Sequence, residues 1–392
     1  MDALSVSVIP ASKPHLLDPA VLDQLPGWLA ERGHGDYRAA QIRRWIFESS
    51  VNSFAEMTDL PAALRGQLEA GFSLFTTEIA EHHRSPDGTE KLLLAQADKE
   101  RIECVLLRDG ARRTICISSQ VGCAMGCVFC ASGLDGVVRN LTAGEIVEQM
   151  LRLQRLLDRS QVSGVRRQNA EVLANLQPPA SSLKDRLSHI VVMGMGKPLA
   201  NLDRLLPALA LAESPDALGI SARRITISTV GLPKAIDRLT EARCRYNLAV
   251  SLHAADDELR ERLVPTSRAT GLTPILEAAD RYFAESGRRL TFEYVLLGEV
   301  NDSPANARAL AGRLRGRAAL LNVIPYNPVA GLPYVAPTAT AQQRFLDVLT
   351  HAGVNVHVRR RKGSEIDAAC GQLRRLKPVR GLSQSLQAIP EN

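Results

Sequence analysis

The chain has 392 residues, 45% of them hydrophobic, enough for a barrel-sized core with a smaller unit beside it. Lysine and arginine total 48 against 42 acidic residues, a net charge of +6 that suits a phosphate-bearing partner without requiring one. Only 4% of residues are aromatic, which excludes base recognition by a broad stacking platform, and seven unevenly placed cysteines exclude a secreted disulfide framework.

Met1 to Lys13 lacks the basic and apolar regions of a signal peptide, and no apolar run approaches the roughly 20 residues of a membrane span. A cytoplasmic monomer is the expectation. Residues 1 to about 20 read as a loose leader. From Pro19 to about Ala80 the pattern is helical, with Ile42, Trp45 and Ile46 at i, i+3 and i+4. Ser53 and Thr58-Asp59 read as caps of fresh helix starts. Ser85-Pro86-Asp87-Gly88 is a turn, after which Lys91–Leu94 and Glu103–Leu107 form a hairpin through Ala97-Asp98-Lys99.

From about Arg112 the rhythm becomes strand, loop, helix. Strands are expected at Thr114–Ser118, His189–Met193, Arg224–Ser228, Asn247–His253, Leu290–Leu297 and Ala319–Pro325. Gly144–Leu157 is a helix opened by a Thr142/Glu145 capping box. Residues 159–187, with Gln177-Pro178-Pro179, read as a polar surface insertion. The fold class is therefore α/β: six units of an incomplete β/α barrel behind a small all-helical domain. The expected divisions are residues 1–84 (helical), 85–108 (hairpin linker), 109–363 (core) and 364–392 (C-terminal segment).

The chemistry centres on Cys123-Ala124-Met125-Gly126-Cys127-Val128-Phe129-Cys130, a C-x3-C-x2-C stretch after the first predicted core strand. Three thiolates on one tight loop can hold three corners of an iron–sulfur cube and leave the fourth iron open for chemistry. Three buried cysteines, or a zinc site completed by a distant histidine, are the alternatives. Working residues of such barrels sit where strands end. There the sequence places Gly194-Met195-Gly196-Lys197-Pro198, Ser228-Thr229-Val230-Gly231, Ser251-Leu252-His253-Ala254 and Ile324-Pro325-Tyr326-Asn327-Pro328, a series of small and polar groups suited to a polar cofactor. Cys370, in a small-residue segment outside the six strands, reads either as a mobile nucleophile with Cys116 as redox partner or, like Cys104 and Cys244, as a buried small hydrophobe. Arg359-Arg360-Arg361-Lys362 is a basic cluster, read as a solvated face or a phosphate contact.

Taken together, these motifs resemble the RlmN/Cfr family of radical S-adenosylmethionine (SAM) RNA adenine methylases, and its RlmN branch most. The similarity runs from about Tyr37 to Leu373 and includes Phe54–Leu60, Ser118–Cys123, Arg139-Asn140-Leu141, Pro325–Pro328 and Ile366–Leu373. The resemblance implies a 4Fe-4S cluster on Cys123, Cys127 and Cys130, with SAM contacts at Gly196, Lys197, Ser228, Ser251, Leu252, His253 and Asn327. It implies two SAM molecules per turnover: one methylates Cys370, and the other yields a radical that activates that methyl for addition to adenine carbon 2. Cys116 would release the protein–RNA adduct through a transient disulfide, and Glu103 or the Cys116 thiolate would take the ring proton. The implied partners are 23S rRNA, the tRNA anticodon loop and an electron donor such as flavodoxin, and the helical domain would grip RNA through phosphate contacts.

One departure stands out. The family has Gly-Glu-Pro where this chain has Gly196-Lys197-Pro198, and lysine offers no acceptor to the SAM ammonium. Either Lys197 turns away from the site or SAM binding is altered. Carbon-8 methylation, another RNA target, or a zinc-stabilised RNA-binding protein without catalysis are the competing functions.

Overall fold

The computed structural model describes residues 13–168, 185–359 and 361–374. Its first helices are α1 (Pro19–Ala30), α2 (Tyr37–Phe47) and α3 (Ala62–Gly71). Asp18 caps α1 by accepting from the Ala20 N–H at 3.1 Å, and Leu22, Leu25 and Leu29 form its buried stripe. On α2, Ile42 and Ile46 are buried and Trp45 packs at the edge of the same core. The caps expected before α3 do not form. Ser53 precedes only a 3₁₀ turn, Phe54–Glu56, and its hydroxyl bonds Glu56. Asp59 faces α2 instead, accepting from the Trp45 indole N–H and from Arg44 at 3.0 Å. A cation and an indole from a neighbouring helix outcompete the local amides for that carboxylate.

Helix ends at Gly71, short of the expected Ala80, and β1 (Glu78–Arg84) follows. It is an edge strand whose side chains are almost all exposed, so no apolar alternation marks it in the sequence. The expected hairpin is present as β2 (Glu90–Ala95) and β3 (Arg101–Asp109), which pair antiparallel; β3 in turn pairs antiparallel with β4 (Arg112–Cys116). β5 (Gln120–Gly122) and β6 (Val137–Asn140) make a separate ribbon whose connecting loop is the cysteine stretch.

From β4 the sheet is parallel: β7 (His189–Val192), β8 (Ile225–Thr229), β9 (Asn247–Ser251), β10 (Leu290–Leu296) and β11 (Ala319–Pro325) follow side by side. All six expected core strands are there in chain order, and a short seventh, β12 (Val356–Val358), adds beyond β11. The ten-stranded sheet, ordered β1-β2-β3-β4-β7-β8-β9-β10-β11-β12, is open, as an incomplete barrel requires. Its crossovers are α4 (Ala143–Gln168), α5 (Leu202–Glu213), α6 (Pro233–Glu241), α7 (Asp257–Leu263), α8 (Leu272–Ser286), α9 (Pro304–Leu314) and α10 (Ala339–His351).

The predicted capping box opens α4: the Glu145 N–H donates to Thr142 Oγ1 (3.1 Å) and the Thr142 N–H to Glu145 Oε2 (2.8 Å). The helix continues past Leu157 to Gln168, and residues 169–184 of the expected insertion lie outside the described residues. Farther along α4, fully buried Glu148 accepts from the amides and hydroxyls of Thr76 and Thr77 and pairs with Arg152 at 3.1 Å. It thereby ties the link between α3 and β1 to the barrel. One apolar core extends from Leu16 through the helices and the sheet to Leu349. A second, smaller cluster of Cys123, Cys127, Phe129, Val230, Leu263, Leu297 and Tyr326 sits by the C-terminal strand ends.

Candidate active site

The cysteine loop is fixed at both ends and in its middle. The Cys123 N–H donates to Gly136 O at 2.9 Å, the Val128 N–H to Leu263 O at 3.1 Å, and the Ala131 N–H to Gly371 O at 2.8 Å. Gly122 turns the chain into the loop with φ +79°, and a Cβ there would overlap the Gly136 carbonyl oxygen that holds Cys123. Gly122→Ala is therefore expected to destabilise the fold by on the order of 2–3 kcal/mol and to lower iron incorporation, read by urea unfolding and iron analysis; unchanged values for both would refute this role.

Ser118, Ser119 and Gln120 bind the loop after β7 to this frame. The Met195 N–H donates to Ser118 Oγ (2.8 Å), the Ser119 N–H to Met195 O (3.0 Å) and the Lys197 N–H to Gln120 Oε1 (2.9 Å). The turn after β9 is organised by Arg260, itself fully buried, which donates to the carbonyls of Leu252 (3.2 Å), Ser251 (3.3 Å) and Val230. His253 occupies the left-handed region at φ +63°, and Asn301 Nδ2 donates to its carbonyl at 2.8 Å. Its Nδ1 accepts from the Val295 N–H at 3.1 Å, which puts the ring proton on Nε2. Its ring meets Phe129 of the cysteine loop edge-to-face at 4.9 Å.

Burial first, then the charges of Lys197 and Arg260, push the His253 pKa well below the ordinary histidine value. The unfolded chain takes up a proton near pH 6.5 that the folded chain refuses, so stability is lost as pH falls below that value. The slope from this group approaches about 1.4 kcal/mol per pH unit. His253→Asn offers an oxygen to the Val295 N–H and does not titrate, and should flatten the loss between pH 7.5 and 5.5 in urea unfolding. Equal slopes for both proteins would exclude His253 as its source.

The C-terminal segment closes over these strand ends. Asn327 Nδ2 donates to Cys370 O (3.1 Å), Ser132 Oγ to Leu373 O (2.6 Å) and Gln372 Nε2 to Pro328 O (3.0 Å). One cavity is thereby lined by Cys116, Cys123, Cys127, Cys130 and Cys370 together with Gly196, Lys197, Ser228, Ser251, His253 and Asn327. Two predicted residues do not line it. The Leu252 side chain is buried in the main core. Glu103 is buried beside the cavity, paired with Lys91 at 2.8 Å and accepting from the Arg374 N–H at 2.6 Å. Burial raises its pKa, with Lys91 opposing.

All seven cysteines are free thiols, so Cys116 and Cys370 are not joined in this structure. Burial pushes Cys116 and Cys127 up to about 12. Lys197 does not turn away: it lines the cavity, and its charge acts on Cys127, Cys130, His253, Glu293 and Cys370. Sequence reasoning missed Glu293 and Arg359, both on the cavity wall. Glu293 carried a signal, a charge in the middle of the apolar run Leu290–Leu296. Arg359 carried none that set it apart from the basic residues around it.

These residues fit an iron–sulfur cluster with SAM. Ser228 Oγ and Asn327 Oδ1 are buried and have no hydrogen-bond partner among the described residues, as polar atoms reserved for a ligand would be. Among the described residues no three His, Cys, Asp or Glu side chains are placed to hold one metal ion. No helix among the described residues is long and apolar enough to cross a membrane.

A crystal structure of a radical SAM methyltransferase from Sphaerobacter thermophilus matches with a TM-score of 0.82 at 39% identity, covering 92% of this chain and 99% of that one. Fold and comparison together define a radical SAM methyltransferase. Residues 16–74 match the family model described as the ribosomal RNA large subunit methyltransferase N-terminal domain. The chain is 61% identical over 363 residues to "Probable dual-specificity RNA methyltransferase RlmN" of Rhodopirellula baltica, covering 93% of this chain and 91% of the relative. A protein of Opitutus terrae called "Probable dual-specificity RNA methyltransferase RlmN 3" is 43% identical over 373 residues, with 93% and 95% covered. The chain belongs to the RlmN family.

Proposed function

We propose that this enzyme methylates carbon 2 of adenine in 23S rRNA and in the tRNA anticodon loop, with the methyl carried on Cys370. The observation that carries the reading is the gathering of Cys370 and Cys116 in the same cavity as Cys123, Cys127 and Cys130. Cys123, Cys127 and Cys130 hold the cluster, and Gly196, Lys197, Ser228, Ser251 to His253 and Asn327 hold SAM. When bound, cluster and SAM supply the methyl group and the one-electron chemistry that activates it, with flavodoxin or a similar protein as electron source.

The chain's own residues do the rest. Cys370 accepts the methyl and bonds carbon to the ring. Glu103 or the Cys116 thiolate takes the ring proton: Cys116 lines the cavity, whereas Glu103, raised by burial, lies behind it and accepts from the Arg374 N–H, so its part requires movement of the segment that carries Cys370. The Cys116 thiolate then attacks the Cys370 sulfur, forming a transient disulfide; the ring-bound methylene carbon leaves with the pair of the broken sulfur–carbon bond and takes up a proton, which gives the methylated base. Residues 1–84 grip the RNA, 85–108 link them to the core at 109–363, and the segment from 364 presents Cys370.

The test is anaerobic incubation of the brown, cluster-loaded protein with SAM, a reductant and an RNA fragment, followed by digestion of both macromolecules. Methyl on Cys370 and 2-methyladenosine in the RNA are expected. 8-Methyladenosine would reassign the ring position, and an unmodified Cys370 beside methylated RNA would overturn the carrier role.

A further inference from the structure

The segment that carries Cys370 is pinned between two walls. On one side the cysteine loop and the loop after β11 hold the carbonyls of Cys370, Gly371 and Leu373 through neutral hydrogen bonds. The other wall is the β2–β3 hairpin, and there the contacts are charged. Lys91 pairs with Val105 across that hairpin and Leu93 with Glu103, so Lys91 and Glu103 are diagonal neighbours on one face. Their side chains are 7% and 2% exposed and meet at 2.8 Å. Each also reaches the segment. Lys91 Nζ donates to Asp367 O at 3.3 Å, before Cys370 in the chain, and Glu103 Oε2 accepts from the Arg374 N–H at 2.6 Å, after it. Asp367 is held at φ +49°, a left-handed backbone that residues other than glycine seldom keep unless contacts fix it.

We propose that Lys91 is a positioning residue: with Glu103 it forms a clasp that grips the segment on both sides of Cys370 and keeps the thiol in the cavity where SAM binds. The hairpin does not need this pair to close, since its backbone ladder runs from Glu90 to Ala95. A buried ion pair is also a weak source of net stability, because desolvation offsets the attraction. What the two charges add is their hold on the segment. If the segment left, the ammonium and the carboxylate would each stay buried and one hydrogen bond short. Closure is therefore favoured until another group replaces those contacts. Opening also frees Glu103 Oε2, so that oxygen becomes available to a ring proton only after Cys370 has moved.

The proposal rests on Cys370 as the methyl carrier, and its test separates the two claims. Cluster-loaded protein is followed by hydrogen exchange and, with SAM but no RNA, by peptide mass spectrometry of Cys370 methylation. Lys91→Met keeps most of the side-chain length and removes the charge and its donors. It should speed exchange across residues 364–374 by about tenfold and leave Ile190 and Ile227 unchanged. Methylation of Cys370 should slow by about 10–100-fold, the effect of a reacting group held less well. Lys91→Arg can donate to both Glu103 and the Asp367 carbonyl, and should keep most of the protection and the rate. Lys91→Met/Glu103→Gln leaves no unpaired buried charge, so its urea midpoint should return toward the parent. Exchange and methylation should stay altered in it, because Asp367 O still lacks its donor. Recovery of all three in the double variant would mark a packing effect and overturn the proposal. So would unchanged 364–374 exchange in Lys91→Met, faster exchange throughout the sheet, or faster 364–374 exchange with unslowed methylation. A wild-type Cys370 that SAM leaves unmethylated would refute the carrier reading, and exchange of 364–374 would still decide the clasp.

Discussion

Cys370→Ala is expected to lower RNA methylation by on the order of 10⁴-fold or more, because under the proposed mechanism it removes the group that carries the methyl. The fold should hardly notice. Cys370 is partly exposed, and the segment is held through its backbone: Cys370 O by Asn327, Gly371 O by Ala131 and Leu373 O by Ser132. The thermal midpoint should therefore stay close to that of the parent while methyladenosine disappears from digested RNA. Cys116→Ala behaves differently under the same mechanism. Its Cys370 still takes the methyl and joins the ring, but no second thiol attacks the Cys370 sulfur. Covalent protein–RNA adduct should accumulate and appear as a shifted band on a denaturing gel. Free turnover by Cys116→Ala, or residual methylation by Cys370→Ala near the parental rate, would defeat the two-thiol mechanism.

The charge in the cavity bears on the same chemistry. Lys197, Arg359, Arg361 and Lys362 line it, and Glu293 is its one carboxylate among the described residues. Three thiolates and a Cys370 anion would otherwise sit together with little compensation in a poorly solvated space, and neighbouring like charges oppose each other's ionisation. Lys197 therefore reads as a partner of the thiolates, not as a misplaced side chain.

How far the sequence foretold this arrangement varies with the kind of signal. Parallel core strands are largely buried on both faces, and the β-branched and aromatic content of Ile225–Thr229 and Leu290–Leu296 places them within a residue or two. β1 and β12 are edge strands with exposed or half-exposed side chains, and nothing in their composition separates them from a loop. The cysteine loop was legible because its spacing is its chemistry. The β5–β6 ribbon that frames it was not, since three and four residues are too few to show a period. Asp59 misled because a cap and a tertiary partner compete for the same carboxylate, and only the packing of α2 decides. Arg359 misled in the opposite sense. A basic run reads as a solvated face, but the two-residue period of a strand end carries Arg359 inward, and Arg361 and Lys362 of the same run reach the cavity lining too.

Glu148→Ala is expected to cost about 3–5 kcal/mol of stability, the range for removing one member of a buried ion pair. The carboxylate is fully buried and accepts from five groups at once, the amides of Thr76 and Thr77 at 2.9 and 3.1 Å, both threonine hydroxyls and the Arg152 guanidinium, with the His15 ring a sixth neighbour at 3.4 Å. Alanine would leave the Thr76 and Thr77 amides without that acceptor, and a mostly buried arginine with the Thr77 carbonyl and the Phe75 ring as its remaining partners. Glu148→Gln keeps one acceptor oxygen but turns an NH₂ toward donors, so it should fall between alanine and the parent. Because Thr76 and Thr77 link α3 to β1, the loss should loosen the helical segment from the barrel before the parallel sheet opens. Urea unfolding should show a lowered midpoint, and hydrogen exchange should show early loss of protection at Thr76 and Thr77 relative to Ile190 and Ile227 in the central strands. A loss under about 1 kcal/mol would mean that these donors find water instead, and uniform loss of protection would mean that Glu148 supports the whole fold and not that joint.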